Sequence, residues 1–243
     1  MSRIENEIKH GKYLADGGAE AIWNWDSAAG KKRAQRRAEL IVSHAKIKKT
    51  DKILEIGCGT GLFTGKIVDL TGATDITAID ISPELLEMAK AKYKVPNFVL
   101  GDAMKLSYPD NSFDVIFGSS VLHHLDMEKT CVELFRVLKK DGRIIFAEPN
   151  MINPQIAIQK NVPFIKEWLG DSPDETAINR WKFKKMLFRV GYTDIKIFPY
   201  DFLHPIVPSF LVNFTEKFGK IIEKVPVLKE IAGSVIILAY KKN

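Results

Sequence analysis

Long apolar runs are missing from this sequence. No stretch of about 18 or more apolar residues occurs in its 243 positions, so no membrane-spanning helix is expected. Cysteine is scarce. Cys58 and Cys131 stand far apart, which excludes a disulfide framework and a cysteine-built metal cluster, and no metal is expected. Residues 1–10 are polar and charged, unlike a secretory signal, so the expected compartment is the cytoplasm. Internal repeats and low-complexity tracts are absent, and neither sign of charge dominates. The net charge of +6 is modest for this length. It permits an anionic partner such as nucleic acid or an acidic membrane surface without requiring one. A hydrophobic content of 46% and a charged content of 27% suit a globular α/β domain with a small addition, or two small domains.

One stretch organises the rest. Residues 53–61 read Ile-Leu-Glu-Ile-Gly-Cys-Gly-Thr-Gly: a short buried strand, an acid near its end, then glycine at every second position before a helical pattern. A chain leaving a parallel strand for a helix turns sharply, which glycine tolerates, and the missing Cβ atoms let a ligand approach the backbone. A dinucleotide fingerprint spaces its glycines two and then three apart. Here Gly57, Gly59 and Gly61 are spaced two and two, and Glu55 precedes them. A pyrophosphate disfavours a carboxylate at that point, whereas a ligand with a free amino group favours it.

The string Glu55-x-Gly57-x-Gly59-x-Gly61 resembles motif I of the class I S-adenosylmethionine (SAM)-dependent methyltransferases. Two further acids stand just after strands. Asp80 lies 19 residues after Gly61, near the spacing of about 20 at which an acid meets ribose hydroxyls. Asp102 comes after the third strand, where an adenine amine would arrive, with the Ala103 N–H available to a ring nitrogen. Leu-Gly-Asp-Ala (100–103), Tyr-Pro-Asp-Asn-Ser-Phe-Asp-Val-Ile (108–116) and Leu-His-His-Leu (122–125) resemble the branch called methyltransferase type 11, over roughly residues 48–147. The resemblance implies SAM as cofactor, with S-adenosylhomocysteine as product. It implies a cofactor site of Glu55, Gly57, Cys58, Gly59, Gly61, Asp80, Ile81, Asp102, Ala103 and Ser119, and transfer by in-line attack of an acceptor on the sulfonium methyl. Positioning and desolvation would supply most of the rate.

The expected fold is α/β: a doubly wound, Rossmann-like, mostly parallel seven-stranded sheet with an antiparallel last strand and cap insertions. Residues 1–243 read as one domain, with an N-terminal cap segment at 1–48, a cofactor-binding core at 49–148, and substrate-side insertions at 149–192 and 201–230. Strands are expected at 53–56, 76–80, 97–100, 113–117, 143–147, 193–199 and 234–240, with Asp141-Gly142 as a turn. Tyr13, Trp23 and Trp25 form either a lid over the cofactor or aromatic packing outside the domain. Lys31, Lys32, Arg33, Arg36 and Arg37 begin a helix at 31–49. They read foremost as a solvated basic face, and otherwise as a hold for an anion or for the cofactor's carboxylate.

The segment after the fourth strand selects the chemistry in enzymes of this kind. Residues 118–124, Gly-Ser-Ser-Val-Leu-His-His, contain no Asn/Asp-Pro-Pro-aromatic motif, no Pro-Cys and no acidic cluster. These absences disfavour amino-methylating DNA enzymes, pyrimidine methylases acting through a cysteine adduct, and metal-dependent catechol-type enzymes. His123 and His124 remain, as a general base or as packing beneath the cofactor. Glu148, Asn150, Asn153, Gln155, Gln159, Trp168, Asp171, Asp174, Glu175, Arg180 and Trp181 gather around an insertion broken by Pro154, Pro163 and Pro173, with the polar–aromatic mixture of a ligand pocket. An apolar stretch at 202–214 beside Lys217, Lys220 and Lys224 reads first as a helical cap packed on the sheet, and alternatively as a lid for a lipid-like substrate or a peripheral membrane contact. The expected acceptor is a small or lipid-like molecule. RNA or protein methylation and SAM binding without turnover are the alternatives, nucleic acid being the less expected partner.

Overall fold

The computed structural model describes residues 3–172 and 174–242; Met1, Ser2, Pro173 and Asn243 lie outside the described residues. The strands are β1 (Ile53–Ile56), β2 (Ile76–Asp80), β3 (Asn97–Leu100), β4 (Phe113–Ser119), β5 (Leu138–Pro149), β6 (Thr193–Tyr200) and β7 (Ser234–Tyr240). They form one sheet in the order β3-β2-β1-β4-β5-β7-β6. β1 to β5 are parallel, and β7 runs antiparallel to both its neighbours. The helices α4 (Leu62–Thr71), α5 (Pro83–Lys92), α6 (Met127–Val137) and α9 (Arg180–Val190) connect or cover these strands.

Apolar side chains alternate between the two faces of the sheet, and both faces are covered, so the strands read as continuous apolar runs. Leu54, Ile56, Ile116, Ile144 and Phe146 pack with Leu134 of α6 and Leu187 of α9. Ile53, Val115, Phe117, Ile145 and Ala147 face Ala34, Ala38 and Ile41 of α3 (Ala28–Ala45) and Phe63 and Ile67 of α4. α3 starts three residues before the expected position 31 because the Ser27 hydroxyl caps it, accepting from the Gly30 N–H at 2.9 Å. β5 also starts early. Leu138 pairs with Phe113, the register shifts, and Arg143 then pairs with Val115. The Asp141-Gly142 turn is thus a bulge within β5, with Asp141 at φ 62°.

Strand order reverses between β1 and β4, and in open α/β sheets the ligand crevice lies at that point, beyond the strands' carboxyl ends. Two added segments line it, and a third packs on α3 without entering its lining. The N-terminal α1 (Arg3–Gly17) and α2 (Ala19–Ile22) come from one side, and α7 (Pro154–Asn161) with α8 (Pro163–Trp168) from another. The third, residues 201–232, contains α10 (Val212–Ile222). It does not form the expected apolar cap on the sheet. Leu203, Val207 and Val212 pack with Ala29 of α3, while Phe210 and Phe214 point outward.

Candidate functional site

The cavity at the switch point holds about 490 Å³, within the usual range for small-molecule sites. Its floor is the turns after successive strands: Gly57 to Thr60 after β1, Asp80 to Ser82 after β2, Gly101 to Met104 after β3, and Ser119 to Val121 after β4. The first turn requires glycine. Gly57 has φ +64°, and a Cβ there would stand 2.2 Å from Val121 Cγ2; Gly59 has φ +51° and lies under the Trp23 ring. The Asp80 carboxylate ties two turns together, accepting from the Gly59 N–H at 2.7 Å and the Ser82 N–H at 2.9 Å. Burial pushes its pKa up, against these backbone hydrogen bonds. Asp102 accepts from the Met104 N–H at 2.8 Å, so its turn is fixed locally.

Of the residues expected at the cofactor, Gly57, Cys58, Gly59, Asp80, Ile81, Asp102, Ala103 and Ser119 line the cavity. Glu55 and Gly61 do not. Position 55 shares a strand face with Ile53, so its side chain points beneath α4 and accepts from the Thr64 hydroxyl. It is fully buried there. Desolvation, with the Asp80 charge nearby, raises its pKa to about 8, so it is protonated near neutrality. Burial raises the Cys58 thiol well above its usual range, and the side chain packs with Ala78, Leu86 and Phe98.

Most of the basic run is paired rather than solvated; Lys31 is exposed. Lys32 bonds Asn213 Oδ1 at 2.5 Å and pairs with Glu216 at 2.8 Å, Arg33 pairs with Asp201 at 2.8 Å, and Arg36 binds Glu223 through two nitrogens at 2.8 and 2.5 Å. Arg37 is buried and lines the cavity. Its guanidinium donates to Tyr200 OH (3.0 Å), Ser119 Oγ (3.0 Å), Ser120 Oγ (2.8 Å) and Ser234 Oγ (3.2 Å). All four are neutral, and no carboxylate among the described residues pairs with it. It also lies 5.0 Å from the Trp25 ring centroid. Trp23 and Trp25 line the cavity, whereas Tyr13 is exposed.

The opposite wall is ionisable. His123 is buried between two carboxylates, with Nδ1 2.6 Å from Glu148 and Nε2 3.4 Å from Glu175. Burial alone would lower its pKa, but bonds to Glu148 and Glu175 outweigh this and raise it to about 9. The ring is therefore charged at neutral pH and has no free lone pair for a proton. Glu148 also accepts from the Val121 and Leu122 N–H groups, both at 3.0 Å, which fixes the turn after β4. His124 lines the cavity and is less buried, with Nδ1 3.0 Å from Glu7 of α1. Glu7 accepts from the Ser172 hydroxyl at 2.6 Å. Burial opposes ionisation of Glu7, but His124 and Ser172 hold its pKa below the usual value. Lys160 of α7 bridges Asp171 (2.7 Å) and Glu175. His123, His124 and Glu175 each place one donor atom within 4.8 Å of the others, the spacing a metal ion would need. Charges in this wall are nonetheless already paired by His123 and Lys160.

The insertion residues expected in one pocket divide. Gln159, Asp171 and Glu175 line the cavity, and Glu148 lies beneath it. Asn150 is structural, donating to the Glu230 and Ala232 carbonyls, both at 2.8 Å. Asn153 caps α7, Gln155 contacts His204, Asp174 meets Arg3 and Asn6, and Arg180 pairs with Glu230 while stacking on Trp181. Trp168 is exposed. Glu7 and Lys160 carry no sequence signal as site residues; only folding brings them to this wall.

Residues 54–146 match the family model described as a methyltransferase domain. A methyltransferase-like protein of Schizosaccharomyces pombe is 26% identical over 172 residues, covering 68% of this chain and 66% of that protein. Demethylmenaquinone methyltransferase of Chlorobaculum tepidum is 31% identical, covering 71% of this chain and 63% of its own. The match thus spans slightly less than two thirds of either relative. Among solved structures, the methyltransferase in complex with the Haloferax volcanii Trm112 methyltransferase activator superposes with a TM-score of 0.69 at 18% identity, covering 97% of this chain and 99% of that one.

Proposed function

We propose that the chain is a class I SAM-dependent methyltransferase, a reading its fold and the match over residues 54–146 support, and that it transfers a methyl group from SAM to a small or lipid-like acceptor. The observation that carries this reading is Arg37. A buried guanidinium without an anion is costly, and this one faces the cavity beside the glycine turn, where an amino-acid carboxylate would complete it. Bound there, SAM supplies an electrophilic methyl group on a sulfonium.

The chain's own residues do the rest. Arg37, held by Ser119, Ser120, Tyr200 and Ser234, takes the carboxylate. Asp80 keeps lone pairs for the ribose hydroxyls after accepting from Gly59 and Ser82. Asp102 and the Ala103 N–H meet the adenine. Trp23 and Trp25 exclude water. His124 is the group placed to take a proton from the acceptor: the Glu7 carboxylate, 3.0 Å from its Nδ1, steadies the charge that develops. His123 is excluded from that role because it already carries a proton. Glu175, Asp171 and Lys160 form the polar wall against which an acceptor is oriented. All but Lys31 of the basic residues that favoured an RNA substrate are engaged by the 201–223 segment or by the cavity, which weakens the support for that reading.

The test is to incubate the protein with methyl-labelled SAM and a cell extract, then count label in organic, small aqueous, RNA and protein fractions. Label in either small-molecule fraction supports the reading. Label confined to RNA or protein overturns the acceptor class, and SAM binding with no label in any fraction overturns turnover on acceptors of that extract.

A further inference from the structure

α10 is built inside out. A surface helix ordinarily turns its apolar stripe inward and its charges to water. Here the acids turn toward the protein while Lys217 and Lys220 stay exposed: Glu216, with Asn213, holds Lys32, and Glu223, just past the helix end, holds Arg36 and accepts from the Asp201 N–H at 2.9 Å. Only Val212 and Gly219 of the helix are buried. The outward face carries Phe214, Phe218 and Ile221 at 68%, 53% and 61% exposure, continued backward by Phe210 at 81% and Ile206 at 76%. Within the helix Phe214, Phe218 and Ile221 are spaced four and three residues apart and share one face, and Val225 and Leu228 in the turns that follow are also exposed. The Phe214 and Phe218 rings are parallel, 6.3 Å apart. Lys217 lies on the helix within roughly a quarter turn of Phe214 and Ile221, and Lys224 follows in the exposed turn just past the helix end. Neither has an acidic partner among the described residues.

We propose that this face docks the protein on an anionic lipid bilayer, with the phenylalanines in the acyl boundary and Lys217 and Lys224 at the headgroups. Exposed aromatics bordered by lysines have the composition of an interfacial helix. Charge argues for lipid over a second copy of the chain. A two-fold self-contact would set these lysines near their own copies on a molecule of net charge +6, whereas anionic headgroups complement them. A second apolar element lies at the cavity rim: Phe164 and Trp168 of α8 are each 76% exposed, and the next residues, Leu169 to Asp171, line the cavity. α10 and the turn after it are bonded to Lys32 and Arg36 of α3, and Arg33 and Arg37 of the same helix line the cavity, so α3 is shared between the docked element and the site. The proposal concerns a surface and does not depend on methyl transfer.

Co-sedimentation of the full chain with phosphatidylcholine vesicles, with and without phosphatidylserine, tests it. The expected result is binding to the phosphatidylserine vesicles that weakens with added salt. The pair Lys217→Gln and Lys224→Gln should lower partitioning about fivefold per residue. The pair Phe214→Glu and Phe218→Glu should lower it about tenfold or more while leaving calorimetric SAM affinity unchanged, which shows that the fold survives. The proposal is overturned if the wild type sediments with neither vesicle, or if the phenylalanine pair binds as well as the wild type. It is equally overturned by a wild-type dimer in sedimentation velocity that this pair dissociates, because a second copy would then cover the face.

Discussion

Arg37 and Glu55 illustrate opposite fates of a buried charge. Arg37 keeps its charge and satisfies its donors with hydroxyls, which leaves its Coulombic demand to a ligand. Replacing it with Met should weaken SAM binding by about 1.5–3 kcal/mol, the value of a hydrogen bond to a charged group, and leave binding of decarboxylated SAM unchanged. Calorimetry with both ligands separates a carboxylate contact from general damage, since equal losses would place the carboxylate elsewhere. Asp80→Ala should cost a similar ~1.5–3 kcal/mol in SAM affinity, because ribose contacts and the bond to Gly59 are lost together; unchanged affinity would misplace the ribose. Glu55 takes the other course and holds a proton. Its pKa rises from 4.5 in the unfolded chain to about 8 in the fold, so between those values the folded state binds the extra proton and stability falls as pH rises, levelling above about 8. His123, raised from 6.5 to about 9, stabilises fully below pH 6.5 and loses that contribution as pH rises through about 9. Both slopes have the same sign, but the interval from pH 5 to 6.5 belongs to Glu55. A Glu55→Gln variant should show a flatter melting temperature there, and an unaltered slope would mean that Glu55 is ionised.

At the scale of elements, the turn after β1 is where backbone and packing constraints coincide. Gly57→Ala would strain a left-handed residue and drive a methyl into Val121, for a loss of about 2 kcal/mol or more. Adding Val121→Ala should recover the steric part and leave the conformational part, which denaturant titration of the single and double variants resolves. The elements near this turn are also the most legible in the sequence. β2 and β3 begin and end, β1 ends and β7 begins, where apolar runs meet glycine, proline or acids, and the turns after β1, β2 and β3 make most of the cavity floor. Legibility failed where a long-range partner decides. Glu55 reads as a ligand-facing acid, but strand alternation places it with Ile53 under Thr64. The basic run of α3 reads as solvated because Asp201, Glu216 and Glu223, which neutralise most of it, lie more than 160 residues away. Glu7 looks like an ordinary polar residue near the start of the chain, and only the packing of α1 makes it a partner of His124. The apolar residues at 206–228 show helical spacing, but spacing alone does not tell which side faces inward.

For the whole molecule, the cavity joins segments from nearly the full length of the chain, so a ligand bound there should stabilise it globally. SAM at about a hundred times its dissociation constant contributes about 2.7 kcal/mol. At roughly 2–4 °C per kcal/mol for a chain of this size, differential scanning fluorimetry should record a rise of about 5–10 °C that grows with SAM concentration; a concentration-independent melting temperature would argue against binding. The position of β7 carries a different consequence, one of timing. It is the last strand in sequence, yet it sits between β5 and β6 and pairs with both along nearly its whole length. While the chain is being synthesised, β5 and β6 therefore emerge with a one-strand gap between them, and Ile144, Ile145 and Phe146 border an open edge of the kind that recruits foreign strands. The sheet cannot close until residues 234–240 have left the ribosome, and Ser234, one of the four hydroxyl partners of Arg37, arrives with them. Closure of the sheet and completion of the Arg37 cradle thus become one event.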